Sequence, residues 1–539
     1  VSDLEHLLGN PDDPDNPLGY AAFLDADERG ELLPAGIALL EANGFGAEFV
    51  PQSLGGRLTQ ADELALALRP LFRRDAALGL GHGAINLIAS VPVWTSGSAE
   101  QQKWLAEVLL RGGQSAGAYT ELATGHDLVR SALRAESTGR GLVLNGRKEV
   151  INNISAAHAA TVLARTSAEP GSRSHSLLLV DMAALPREHV RFLPRFRTSG
   201  MRAIRLGGVE FHDCPLPEST VLGNPGGALE TVLRAFQVTK ATLTNAVIGA
   251  LDTQLRTVTR FALERKLYGR RVADLPHAKA TLVNAYADLL VADCLSTVAC
   301  RALHLLPRQT SVYTAAAKFL VPELTQDLLD GLSVVLGARS FLREGPYAIF
   351  QKHLRDLPLA SLAHSGATVC QATIIPQLPR LARRWLDSAP APDALFQLGG
   401  ALPELDFTGL EILAGPEDPL LATLPALLSD VDKDLADFLL GQLHELRADC
   451  LALSPLNRTP LAEPVAFDVA RRYALLLAAA ACLGVHRHQS GDVDWLPAVL
   501  GRIATRLGHE TEGGDGLFAE LLARQHSGRA FDLTGRHLS

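Results

Sequence analysis

The feature that most constrains this chain is a double change in the spacing of its apolar residues. From about residue 32 to 110 they recur every three or four positions, as in ELALALRPLF and QQKWLAEVLL, which predicts packed amphipathic helices. After Gly112-Gly113 the runs shorten to GLVLNGRKEVINN, AATVLART, SLLLVDM and LGGVEFHD, separated by Gly, Asn, Pro and Ser, which predicts strands. From about residue 226 to 385 helical spacing returns, in segments such as ATLTNAVIGALDTQLRTVTRFALERKL that are long enough to span a bundle. The expected fold is α+β and mainly α. It comprises an N-terminal helical domain (1–113), a small central β domain (114–222), a helical bundle (226–388), and a linker with a helical C-terminal extension (389–539). Within this frame Asn145-Gly146 reads as a hairpin turn, because both residues tolerate positive φ. SAPAPDALFQLGGALPEL reads as the linker, and Ser429 or Asp430 as a helix N-cap in the extension.

At 539 residues the chain is too long for one growing core, so several packed units are expected. A formal charge of -9 and a pI near 6.0 provide no basic field for a nucleic-acid backbone. The cysteines Cys214, Cys294, Cys300, Cys370, Cys450 and Cys482 lie far apart without a CxxC pair, so neither a zinc cage nor a disulfide framework is expected. Reduced thiols and an acidic, Pro/Asp-rich N-terminal stretch fit a cytoplasmic protein. The longest apolar run, Ala474 to Val485, is short for a bilayer and reads as a buried helix, so no membrane span is expected. Two weaker signals are set aside. GLGHG at Gly79 lacks a complete GxGxxG and a preceding strand, and the His486/His488 pair has no accompanying ligand cluster.

Several segments carry a more specific signal: LGG at Leu54, GSAEQQKWLAEVLLRG at Gly97, AYTELATGHDL at Ala118, LNGRKEVINN, GMRAIRLGGVEFHDCPLPESTVLG, ERKLYGRRVADLPHAKA, and VVLGARSFLREGPYAIFQKHLRD. In this order, over about residues 50 to 385, they resemble the acyl-CoA dehydrogenase family. The TELATGH stretch and the helical extension also resemble the related acyl-CoA oxidases. The resemblance implies FAD, bound between the β domain and the bundle. By position, Tyr119, Thr120, Gly125, His126, Val150 and Asn152 would serve the flavin ring and nearby phosphate, and Arg265, Tyr268, Gly337 and Ala338 the rest of the cofactor. In the family the Arg and the Gly loop come from a neighbouring subunit, so a homodimer or larger homo-oligomer is implied. Chemically these residues suit a flavin: Arg265 offers a planar charged fork for a pyrophosphate, and Gly125 lets the backbone approach closely.

The resemblance breaks at the base. The family's chemistry is α,β-desaturation of an acyl thioester, in which a carboxylate takes the α-proton while hydride leaves the β-carbon. Counting nine residues on from Arg355 gives His364, and the alternative position reads Thr239-Lys240, so neither place holds a carboxylate. A neutral imidazole with a free lone pair can accept a proton near neutral pH, which makes His364 the candidate base. Glu121, Asp127 and Asp356 occupy positions that are structural in the family. The expected substrate is an acyl-CoA or acyl-carrier-protein thioester, with electron-transfer flavoprotein or oxygen as acceptor. Two alternatives stand: an oxidase or hydroxylase on the same fold, and a catalytically silent homologue acting as a binding or scaffold protein.

Overall fold

The expected succession of helices, sheet and helices is the one the chain adopts. The computed structural model describes residues 4–459, 461–489, 494–510 and 514–538. Among helices of eight or more residues, the first unit contains α1 (Tyr20–Arg29), α2 (Pro34–Ala42), α3 (Ala61–Arg74), α4 (Ile85–Ser96) and α5 (Ala99–Leu110). α5 begins with a reciprocal cap. Ser98 accepts from the Gln101 amide while the Gln101 side chain accepts from the Ser98 amide, so two otherwise orphaned donors are satisfied.

The sheet follows: β1 (Ser115–Ala118), β2 (Arg134–Ser137), β3 (Leu142–Asn152), β4 (Ala159–Arg165), β5 (His175–Asp181), β6 (Val190–Leu193), β7 (Leu206–Leu216) and β8 (Val221–Leu222). Its order is β6-β7-β3-β2-β4-β5-β8, with β1 parallel to β4. Asn145-Gly146 is not the hairpin turn its sequence suggests. Both residues lie inside β3, where the register against β7 slips between Leu144 and Gly146, and Gly146 has φ +120°. A glycine at positive φ serves a bulge as well as a turn, and the long β3–β7 pairing selects the bulge. The β2–β3 connection closes earlier, where the Thr138 amide bonds the Gly141 carbonyl.

Period-2 alternation in the central strands joins the two cores of the molecule. Ala159 and Leu163 of β4, with Leu177 and Leu179 of β5, belong to the large helical core. Their neighbours Ala160, Val162, Ala164, Leu178 and Val180 belong to a separate core inside the sheet. Successive side chains point to opposite faces of a strand, so β4 and β5 are walls common to both.

The bundle consists of α6 (Ala228–Ala246), α7 (Ile248–Glu264), α8 (Pro276–Leu305) and α9 (Thr310–Leu336), followed by α10 (Ile349–Asp356) and α11 (Ala367–Ile374). Two helical stretches, Ala76–Ser96 and Pro276–Leu305, are long and apolar enough to cross a membrane. Their most apolar windows are 83% and 94% buried inside the molecule, as expected of core helices. All six cysteines are buried and unbridged.

The extension contains α12 (Pro419–Leu427), α13 (Lys433–Ala452), α14 (Pro464–His488), α15 (Leu496–Arg506) and α16 (Asp515–Ser527). α14 carries the apolar run from Ala474 to Val485, all of it buried. The side chain capping α13 is Asp432 rather than Ser429; it accepts from the amides of Asp434 and Leu435, and the Asp430 side chain lies outside the described residues. The Pro-rich stretch after residue 388 is not a free linker. Leu395 and Phe396 are buried, and Arg301 of α8 donates to the carbonyls of Ala394 and Gly400. The C-terminal tail is held by buried charge. The Phe531 amide donates to Asp252 at 2.6 Å and the Leu533 amide to Asp293 at 2.8 Å, while Asp532 meets Arg69 at 3.1 Å and Arg73 at 3.5 Å.

Candidate active site

A cavity of about 300 Å³ opens between the sheet, the first helical unit and the bundle. It gathers six of the sequence-nominated residues: Tyr119, Thr120, His126, Val150, Asn152 and His364. The remaining walls are largely apolar, including Phe236, Leu243 and Val247 of α6 and Val321 and Pro322 of α9.

The sheet side is shaped by a second irregularity in β3. The Glu149 amide bonds the Thr120 carbonyl at 3.0 Å, the register slips again between Glu149 and Ile151, and Val150 takes φ 59°. Positive φ is a real outlier for a β-branched residue and indicates strain held by its surroundings. Asn152, two residues on, lines the cavity, and neither its amide nitrogen nor its amide oxygen has a partner. A buried amide that makes no hydrogen bond is costly, on the order of 1–3 kcal/mol per group. It therefore marks a place where a ligand with both donor and acceptor atoms fits.

Tyr119 lines the cavity with its hydroxyl already bonded. Its hydroxyl bonds Thr161 at 2.7 Å and the Ile88 carbonyl at 3.1 Å, its ring packs edge-on against Phe236 at 5.8 Å, and burial raises its pKa. Thr120 is half-buried and His126 sits exposed at the mouth, where burial and then Lys318 lower its pKa. Gly125 lies outside the cavity lining. A side chain there would meet no protein atom within 4 Å, so its need for glycine comes from φ +56° in the turn that its amide closes onto Glu121. Glu121 is structural: burial opposes its charge, but Lys148, Ser131 and the amides of Ala132 and Leu133 hold it at about 2.

On the bundle side His364 and Ser365 form a strained turn, at φ 53° and 67°, before Gly366 leads into α11. The turn presses the imidazole against α6, its ring 4.3 Å from that of Phe236 and its Nε2 hydrogen-bonded to the Thr239 hydroxyl. The two positions at which a base was sought thus meet in one contact. Thr239 also donates to the Phe236 carbonyl at 3.3 Å. When the hydroxyl hydrogen lies on the Phe236 carbonyl, the hydroxyl accepts from His364 Nε2–H and Nδ1 keeps a bare lone pair. Burial, followed by the charges of Lys318, Lys240 and His126, puts the His364 pKa well below 6.5, so the ring is neutral at physiological pH.

Lys318 is the cavity residue that sequence reasoning missed. Its signal was a single charge inside the apolar stretch VYTAAAKFLVP. Arg265, Tyr268, Gly337 and Ala338 are not brought to the cavity. They lie on an exposed edge, Tyr268 at 92% exposure in a hairpin of β9 (Lys266–Leu267) and β10 (Arg270–Arg271), and Gly337-Ala338 at the end of α9. Arg339 stacks over Phe261 near the end of α7, which places that loop close to the Arg265 hairpin. Asp356 also lines the cavity, but its charge is matched by Lys352 at 2.7 Å and by the Met201 amide.

Residues 116–214 match the family description "Acyl-CoA dehydrogenase, middle domain", and residues 228–377 match "Acyl-CoA dehydrogenase, C-terminal domain". The chain is 24% identical over 352 residues to the short-chain specific acyl-CoA dehydrogenase, mitochondrial, of Homo sapiens, covering 65% of this chain and 83% of that one. Its fold superimposes on butyryl-CoA dehydrogenase from Megasphaera elsdenii with a TM-score of 0.62 at 18% identity, covering 69% and 96% of the two chains. It superimposes on PigA with FAD and proline with a TM-score of 0.61 at 19% identity, covering 70% and 98%. Both family segments fall in order across the sheet and bundle that enclose the cavity, and this part of the chain is built as the middle and C-terminal domains of an acyl-CoA dehydrogenase-type oxidoreductase.

Proposed function

We propose that the chain catalyses FAD-dependent α,β-desaturation of an acyl thioester, with His364 as the base. The observation that carries this reading is that one cavity is lined by the unpartnered Asn152 amide on the sheet side and by the neutral His364 ring on the bundle side. Asn152, Thr120 and His126 would hold the polar edge of the flavin, with Val150 beside it and the tight turn at Gly125 placing the loop. Bound FAD would supply the acceptor for the hydride leaving the β-carbon. Arg265, Tyr268, Gly337 and Ala338 would reach the cofactor from a second copy of the chain, a homo-oligomer supported by an edge that also exposes Phe341 (83%) and Val334 (67%).

The chain's own contribution to the chemistry is proton removal in a dry setting. The apolar walls would exclude water from the α-carbon, and Thr239, accepting from Nε2–H, would leave Nδ1 as the basic nitrogen. Burial, followed by the nearby lysines, keeps His364 unprotonated between turnovers. Negative charge developing on the substrate as the α-proton departs would offset the lysines and raise the basicity of the ring.

The test is anaerobic titration of the purified yellow protein with acyl thioesters of different chain length, followed by its visible spectrum. His364→Ala is expected to retain FAD and to slow bleaching by about 10²–10⁴-fold, the usual range for a lost general base. Bleaching by the unmodified protein should persist as pH falls through 6.5, because the base stays deprotonated until well below that value. Unchanged bleaching in His364→Ala removes this residue from the mechanism. Oxygen consumption on turnover would mark an oxidase, and its absence would favour electron-transfer flavoprotein as acceptor.

A further inference from the structure

Two buried lysines without a counter-ion among the described residues lie by the cavity: Lys318 lines it, and Lys240 stands behind the lining. Phe236, Leu243, Thr244 and Val247 of α6 line it, and Lys240 falls on the same stripe, four residues after Phe236 and three before Leu243. On the facing helix α9 the lining residues are Lys318, Val321, Pro322 and Thr325, again one stripe. The Lys240 charge acts on Lys318, and both lysines add to the positive field on His364. Lys240 is 4% exposed and Lys318 7%. Among the described residues Lys318 donates only to the Ala360 carbonyl, which occupies one of its three N–H groups, and Lys240 has no hydrogen bond or ion pair. Pro322 lacks the amide that would bond the Lys318 carbonyl, so the backbone here also departs from a closed helical ladder. Among the described residues the one carboxylate lining the cavity, Asp356, is already matched by Lys352.

We propose that this cavity takes an acyl group that itself carries a carboxylate, seated on Lys240 and Lys318. The inference rests on the acyl-thioester reading above and deepens it by naming the substrate class. Burying a cation without its partner is unfavourable, and a small planar anion is the group that supplies the missing charge and accepts several N–H donors at once. The pyrophosphate of a coenzyme is a poor fit to a cavity of about 300 Å³ with mainly apolar walls, whereas a carboxylate at the end of a short chain suits it. The same anion would offset the field that lowers the His364 pKa, so a correctly charged substrate would also strengthen its own base.

The experiment compares two pantetheine thioesters of equal chain length, glutaryl and pentanoyl, which carry the arm common to CoA and acyl carriers. Binding to the full-length flavoprotein is measured by anaerobic calorimetry, with the flavin spectrum recorded in parallel. The glutaryl thioester is expected to bind more tightly by about tenfold or more, the effect of a charge-assisted hydrogen bond. Lys318→Met and Lys240→Met should each reduce this preference, with thermal melting to confirm that the variants are folded. Equal affinities, or no measurable binding of the glutaryl thioester, overturn the inference. Lysines that serve only the charge of a reduced flavin would give that equality, and their removal would shift only the reduction potential. A glutaryl preference without bleaching sustains the carboxylate site and overturns the desaturation reading instead.

Discussion

Two regions of the molecule bury positive charge and treat it in opposite ways. Beneath the C-terminal tail, Arg69 is paired with Asp293 and Asp532 and also bonds Asn245, while Arg73 is paired with Glu5 and Asp532. By the cavity, among the described residues, neither Lys240 nor Lys318 is paired with an acid. Both places are lined by α6, α8 or α9 and comparably sheltered, so burial does not distinguish them; completion of the network does. A closed network fixes one arrangement of chain segments, whereas an open one leaves the last group to a ligand.

Breaking the closed network should have the largest effect on stability. Arg69→Ala leaves Asp293 and Asp532 buried with a partner missing, and is expected to cost about 3–5 kcal/mol in urea unfolding. Asp418 offers a second closed contact, between bundle and extension. It accepts from the hydroxyls of Tyr313 at 2.7 Å and Tyr473 at 2.8 Å, and burial pushes its pKa up from 3.8 to about 6 despite those bonds. The folded state therefore holds this proton more tightly than the unfolded chain. Its contribution is fully present below pH 3.8 and is lost as pH rises through 6, by about 3 kcal/mol. Asp418→Asn should flatten this part of the stability profile, read as the difference between the two proteins in denaturation between pH 4 and 7. The smallest effect belongs to the open site. Lys318→Met removes an uncompensated charge and should be neutral or stabilising by about 1 kcal/mol in the same assay. A large destabilisation would show that Lys318 is part of the scaffold after all.

What was legible in the sequence follows the same division. The loop at Thr120, the strand at Val150 and Asn152 and the turn at His364 are short contiguous segments, and their order carried both the fold and the cavity. The contact between His364 and Thr239 was not legible, because 125 residues separate them and a strained turn sets their meeting. Asn145-Gly146 misled because its backbone freedom suits two structures, and only pairing with distant β7 decides between them. Lys318 was hidden by its neighbours, since an apolar helix with one charge reads as core until the facing helix is known. The docking of the Pro-rich stretch depends on Arg301, far away on α8, and composition alone cannot report it.

The alternation along β4 and β5 has a consequence for how the molecule opens. Because each strand belongs to the sheet core and the helical core at once, peeling the sheet away would expose both interiors together. A half-open form that preserves one wall of the cavity is therefore disfavoured, and the amide hydrogens of β4 should exchange with solvent only through global unfolding. The two sides of the active site are, in that sense, a single cooperative unit: the chain has either the whole cavity or none of it.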